Sequence, residues 1–242
     1  MPRFHCDQPL PVGAIVELPE PVAHHLHVLR HAAGEELVLF NGTGGQVRAR
    51  LLELGKRRAS AEILVHEAVE VELPCRVTLA QGLPEGSKMD WIVEKAVELG
   101  VAAIQPLTAR RSVVRLSGDR AEKRIAHWQG VVASAAEQCG RNRLAEVGPV
   151  LDFGRWLARP LDAGPTILLS PRADASLAQW VRANGPRDVT LLVGPEGGFS
   201  AEEEDAALAA GALPLSMGPR VLRTETAGLA ALAILAAGWD AI

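Results

Sequence analysis

The run Val189-Thr190-Leu191-Leu192-Val193 and the turn after it, Gly194-Pro195-Glu196-Gly197-Gly198-Phe199-Ser200, decide how this chain is read. The first five residues are aliphatic or β-branched throughout, the pattern of a strand buried on both faces. Ser200 with Glu203 three residues later forms a capping box, which predicts a helix from Ala201 to about Ala210, stopped by Gly211. The arrangement then repeats. Leu213-Pro214-Leu215-Ser216-Met217 predicts a strand, and Gly218-Pro219-Arg220-Val221-Leu222-Arg223 leads to Thr224, a candidate cap for a last helix rich in Ala and Leu. Thr166-Ile167-Leu168-Leu169-Ser170 predicts a third strand, ending at Pro171-Arg172. Three strand ends with glycine clearances between them are the usual ligand site of an open α/β sheet.

Upstream to Pro74 the same alternation holds. Arg76–Ala80 and Ala102–Leu107 read as strands, Ser87–Leu99 as an amphipathic helix with Trp91, Ile92, Ala96 and Leu99 on its apolar face, and Arg120–Gln138 as a long basic helix. This predicts a mainly parallel sheet covered on both faces. Residues 1 to about 70 differ: short strands at Ala14–Leu18, Glu36–Phe40, Gln46–Leu52 and Ala59–Val65, with the hairpin signal Asn41-Gly42. They predict a small β-barrel over 1–72, of a kind that commonly binds nucleic acid, followed by an α/β domain over 73–242.

The chain has 242 residues, 48% of them apolar, ample for a packed core. The last helix, Glu225 to Trp239, is shorter than the ~20 residues of a membrane span and reads as buried. The N-terminus has no signal-peptide core, so a cytoplasmic protein away from membranes is expected. Cys6, Cys75 and Cys139 are odd in number and widely spaced, which predicts reduced thiols. His27 and His31 would lie one helical turn apart, but with no acidic residue in His24–His31 a polar helix face is expected rather than a metal site. Charge is uneven: residues 73–160 carry thirteen Lys/Arg against nine Asp/Glu, whereas the segments before and after are acidic. A solvated helix face explains such an excess in most proteins, but beside a ligand pocket it points to a polyanionic substrate.

With these residues laid out, the chain closely resembles the RsmE family of bacterial 16S rRNA uridine-N3 methyltransferases, of the SPOUT superfamily. The resemblance runs nearly end to end. It is carried by His24-His25-Leu26 with Val28-Leu29-Arg30, by Lys88-Met89-Asp90-Trp91 with Lys95-Ala96-Val97-Glu98-Leu99-Gly100, by Arg111-Ser112-Val113-Val114, by Glu137-Gln138-Cys139-Gly140-Arg141, and by the two glycine turns. It implies a PUA-like β-barrel, a SPOUT-type α/β domain with a C-terminal trefoil knot, a homodimer, S-adenosylmethionine as methyl donor, and 16S rRNA of the small ribosomal subunit as substrate.

By resemblance the donor would be held by Leu168, Leu169, Ser170, Leu192, Gly194, Pro195, Glu196, Gly197, Gly198, Ser216, Met217, Gly218, Val221, Leu222, Arg223, Thr224, Thr226 and Ala227. The residue types agree, since glycines admit close approach while Leu192, Met217 and Leu222 offer apolar contact. Arg223 would stabilise charge on the uracil oxygens while Glu225 or Glu196 takes the N3 proton. A first-turn carboxylate complementing the helix dipole equally explains Glu225, and a dimer salt bridge Arg223. Arg3, Arg30, Arg110, Arg111, Arg115, Arg141 and Arg143 would hold phosphates, with Asn142 at a base edge or ribose. Another SPOUT activity, such as ribose 2′-O-methylation, and a non-catalytic RNA-binding assembly factor remain as alternatives.

Overall fold

The computed structural model describes residues 1–159 and 164–241. The chain divides into two compact units, Met1–Glu72 with Ala133–Leu144, and Leu73–Val132 with Ala145–Ile242.

In the first unit, β1 (Arg3–His5), β2 (Ile15–Glu17), β3 (Glu36–Phe40), β4 (Gln46–Leu54) and β5 (Ala59–Glu67) form one sheet in the order β1-β3-β4-β5-β2. Along β4, Val47, Ala49 and Leu51 are buried while Arg48 and Arg50 point away, the alternation of a sheet with one packed face. That face meets Val22, Ala23 and Leu26 of α1 (Glu20–Val28). The β3–β4 hairpin forms where Asn41-Gly42 predicts it, with Gly42 at φ +84° and the Asn41 side chain accepting the Thr43 N–H. The helix of the His-rich tract is shorter than the spacing argument requires. It closes at Val28, Arg30 takes a positive φ, and His31 turns off the helix to meet Glu35, so His27 and His31 do not share a face.

Ala133–Leu144, which the 73–242 reading places in the second domain, packs with the first unit. Its polar side chains explain the assignment. Glu137 accepts the His5 N–H at 2.8 Å, Arg3 donates to the Arg141 carbonyl and to Asn142 Oδ1 at 2.6 and 2.7 Å, and Asn142 donates to the Val69 carbonyl. Arg141, 3% exposed, donates through Nε to both carboxylate oxygens of Glu72, at 3.0 and 3.1 Å.

In the second unit the elements are β6 (Val77–Gly82), α2 (Lys88–Glu98), β7 (Ala103–Thr108), α3 (Gly118–Cys139, its first fifteen residues here), β8 (Glu146–Val147), β9 (Leu151–Asp152), α4 (Phe153–Leu157), β10 (Thr166–Leu169), α5 (Leu177–Ala183), β11 (Val189–Val193), α6 (Ala201–Ala209), β12 (Leu213–Leu215) and α7 (Thr224–Gly238). The sheet runs β12-β10-β11-β6-β7-β8, every pairing parallel, with β9 also against β7. β6 and β11, at its centre, are buried along their whole length, as the aliphatic run at 189–193 requires. On α2 the apolar stripe is Met89, Ile92, Val93, Ala96 and Val97. Trp91, expected on that stripe, is 52% exposed with Lys95 Nζ 5.1 Å from its ring centre. The stripe at i, i+3, i+4, i+7 and i+8 starts at Met89, which turns position 91 outward.

Replacing Arg141 by Met should lower the unfolding free energy measured in urea by about 3 kcal/mol, because Glu72 then keeps a part-buried charge without its partner. A midpoint equal to that of the wild type would show the pair to be dispensable.

Candidate active site

Parallel pairing of β12, β10, β11 and β6 brings their C-terminal ends to one edge of the sheet. At the end of β11 the chain turns at Pro195–Gly198, closed by the Gly198 N–H on the Pro195 carbonyl at 2.8 Å. It enters α6 through the expected capping box, with Ser200 Oγ accepting the Glu203 N–H and Glu203 Oε2 accepting the Ser200 N–H. The second turn, 216–223, leaves β12 and delivers α7. Thr224 does not cap α7 with its side chain; Arg223 occupies the N-cap position. The Thr224 hydroxyl instead accepts from Gln81 Nε2 at 2.8 Å and donates to the Gly194 carbonyl at 2.6 Å. It thereby links the end of β6, the start of the first turn and the first residue of α7.

Around these ends lies a cavity of about 580 Å³. Of the residues assigned to the donor by sequence, Leu169, Ser170, Gly194, Pro195, Glu196, Gly197, Gly198, Met217, Gly218, Val221, Leu222, Arg223, Thr224 and Ala227 line it, together with Glu225. Leu168 and Leu192 lie behind it in the apolar core. Ser216 spends its backbone on Ala175 and Leu177, and Thr226 is exposed on the first turn of α7, outside the lining. Arg111 and Arg172 also line the cavity; neither was assigned to the donor from sequence, because only the fold brings them there. A cavity of about 490 Å³ at the opposite ends of the strands is walled by Arg76, Thr78, Gln105, Glu146 and Thr190, strand starts without the paired glycine turns.

The cavity wall fits a nucleoside carrying a positive charge. Gly198 and Gly218 take φ of +67° and +104°, and no atom stands within 4 Å of where a Cβ would be, so the wall is open at both. Val193, Leu215, Met217 and Leu222 supply apolar surface. Three carboxylates face inward, and they differ. Glu204 pairs with Arg172. Glu196 Oε1 accepts from Lys88 Nζ at 2.6 Å and from the Glu85 N–H at 2.9 Å. Burial alone would raise its carboxyl, but the hydrogen bonds from Lys88, Glu85 and its own N–H outweigh burial and hold it below the usual range. The stability this confers is present above an ordinary carboxylate pKa of about 4.3 and is lost as the pH falls through the lower folded value. Glu225 Oε2 is buried with no hydrogen-bond partner among the described residues. Arg223 is exposed and has neither ion pair nor side-chain hydrogen bond among them.

The arginines expected to hold phosphates fall into three groups. Arg3, Arg141 and Asn142 are engaged inside the first unit by the contacts described above, and of the three Arg141 and Asn142 are buried, where a polar group must find a partner. Arg30 is exposed, and Arg143, also exposed, lies 3.4 Å from Glu70. In the second unit, Arg110 donates its N–H to Glu203 at 2.7 Å and Nη1 to Glu202 at 2.9 Å, Arg111 Nη1 donates to the Gly197 carbonyl at 3.0 Å, and Arg115 lines a smaller cavity beside Asp152.

Thr224→Val removes a hydroxyl that bonds a buried amide and a part-buried carbonyl at once. The variant should lose about 2 kcal/mol in denaturant unfolding and bind any ligand of this cavity more weakly. Wild-type values in both measurements would contradict the bridging role.

Comparison with known proteins bears on these observations. A family model of the RNA methyltransferase domain matches residues 71–236, and one of the RNA methyltransferase PUA domain matches 18–64. Ribosomal RNA small subunit methyltransferase E of Bacillus subtilis is 32% identical over 222 residues, covering 89% of this chain and 87% of its own length. The crystal structure of ribosomal RNA small subunit methyltransferase E from Neisseria gonorrhoeae bound to S-adenosyl methionine superposes with a TM-score of 0.91 at 40% identity, covering 99% of this chain and 98% of the other. A Legionella pneumophila structure in complex with bound SAM gives a TM-score of 0.91 at 35% identity, over 97% and 96% of the two chains. With both domains matched in order and the likeness running through the glycine turns, the chain belongs to the ribosomal RNA small subunit methyltransferase E family.

Proposed function

We propose that this protein methylates N3 of a specific uridine in 16S rRNA of the small ribosomal subunit, with S-adenosylmethionine as donor, acting in the cytoplasm as a homodimer whose C-terminal segment is threaded as a trefoil knot. The enzymatic class follows from the family. The observation that carries the choice of site is the cavity between the two glycine turns, where a carboxylate oxygen and a guanidinium, each without a partner among the described residues, lie two residues apart in sequence.

S-adenosylmethionine, when bound, supplies a methyl group made electrophilic by its sulfonium. The turns would take the adenosine part against Gly198, Gly218 and the apolar wall, and the inward carboxylates favour the positive charge. Uracil N3 is a weakly acidic imide and must lose its proton to become the nucleophile. Glu225 accepts that proton, since Oε2 is desolvated and uncommitted, and the proton passes to solvent after transfer. Glu196 is the poorer base, because Lys88 and Glu85 already occupy its oxygen and favour its ionised form. Arg223 donates to the uracil oxygens as negative charge builds on them. Arg111, Arg115 and, in the first unit, Arg30 and Arg143 contact phosphates, which position the RNA, and the target base leaves its stack to reach the methyl group.

Arg223→Ala should slow single-turnover methyl transfer on small-subunit particles about a hundredfold, since a lost transition-state donor costs ~3 kcal/mol, with RNA and donor still bound. Arg223→Lys should recover little, a point charge being no substitute for a planar fork. Glu225→Gln, which keeps the shape of the side chain but cannot take the N3 proton, should slow the same step about a hundredfold. Sedimentation first establishes that each variant keeps the wild-type oligomeric state. Wild-type turnover by Arg223→Ala, or by Glu225→Gln, would remove the respective residue from the chemistry.

A further inference from the structure

Lys88 opens α2, in the Lys88-Met89-Asp90-Trp91 run, and the proposed chemistry makes no use of it. Carboxylates face it from three elements: Glu85 from the β6–α2 turn, Glu196 from the first glycine turn and Glu225 from α7. Attraction to them, led by the hydrogen bond to Glu196, raises the pKa of its ammonium. Two of the three, Glu196 and Glu225, line the donor cavity, and only Glu196 is tied to Lys88 by a hydrogen bond.

Backbone contacts hold the turn that Glu196 belongs to, from Thr224 at Gly194, from Arg111 at Gly197 and from Gly198 back to Pro195, and Glu196 is the one side chain of the turn that makes a polar contact. Gly194, Gly197 and Gly198 have no side chains to pack, and glycine loses the most backbone freedom on becoming ordered. The Glu196 carboxylate, pinned by an ammonium and a backbone N–H on one oxygen, anchors the turn to the start of a rigid helix. An exposed ion pair is worth little to global stability, but restricting a glycine-rich turn to its binding shape lowers the cost of binding. The geometry points to Lys88 as a positioning residue for the methyl donor, which holds Glu196 so that the Gly194–Gly198 turn is shaped before the donor arrives and Glu225 keeps its uncommitted oxygen. This role rests on the donor site proposed above.

Titration calorimetry of the full chain with S-adenosylmethionine tests it. Lys88→Ala should weaken donor binding about tenfold, Glu196→Gln should weaken it at least as much because it also removes an inward carboxylate, and the double variant should be no weaker than Glu196→Gln, because the Lys88 contact is already lost there. Lys88→Arg should restore most of the affinity, and in turnover the loss should appear more in KM for the donor than in kcat. Thermal melting establishes that each variant is folded. Wild-type affinity in Lys88→Ala, or losses that multiply in the double variant, would overturn the positioning role. Wild-type protein that binds no S-adenosylmethionine would refute the donor site itself, so the two failures are told apart.

Discussion

The Thr224 hydroxyl bridges the Gln81 amide and the Gly194 carbonyl. Gln81 is fully buried at the end of β6, so its Nε2 must donate to protein, and the Gly194 carbonyl leaves β11 at the point where the pairing of the sheet ends. One hydroxyl that accepts from the first and donates to the second fixes where α7 begins. Arg223 and Glu225 flank Thr224 and are therefore placed with it, on either side of a residue whose displacement would break both hydrogen bonds. The side chains assigned to charge stabilisation and proton transfer thus inherit their positions from a buried contact that touches no substrate.

The same edge of the sheet sorts its carboxylates by what surrounds them. Glu196 is claimed by Lys88 and Glu85, Glu204 by Arg172, and Glu203 by the Ser200 cap and the Arg110 N–H. Glu225 Oε2 alone among these is buried without a donor. Burying an unpaired polar atom costs free energy, and such a cost is commonly met at sites where a ligand completes the pairing. Arg111 adds a link of another kind: a residue expected to serve RNA alone donates to the Gly197 carbonyl and lines the cavity.

What was legible in the sequence was what is settled locally. The double-sided burial of 189–193, the Ser200 capping box and the Asn41-Gly42 hairpin depend on neighbours a few residues away, and each stands where it was expected. The site was legible to the extent that two turns follow two strands of one parallel sheet. The roles that changed depend on distant partners. Thr224 finds Gln81, 143 residues away, in place of its own helix end. Arg141 finds Glu72 across 69 residues, and Asn142 finds Val69 across 73, so a basic run that reads as a phosphate surface is in part an internal tie. Trp91 was misplaced by the phase of a stripe that Met89, not Trp91, begins. Lys88 belongs to a run that carries the resemblance, but its partner lies in a turn 108 residues downstream.

That the two glycine turns form one donor site is most directly tested by hydrogen exchange of the full chain with and without S-adenosylmethionine, read by peptide. The account predicts added protection in peptides covering 193–200 and 216–227, with none at the opposite strand ends around Arg76, Gln105 and Glu146. Protection at those opposite ends, or in only one of the two turns, would contradict it.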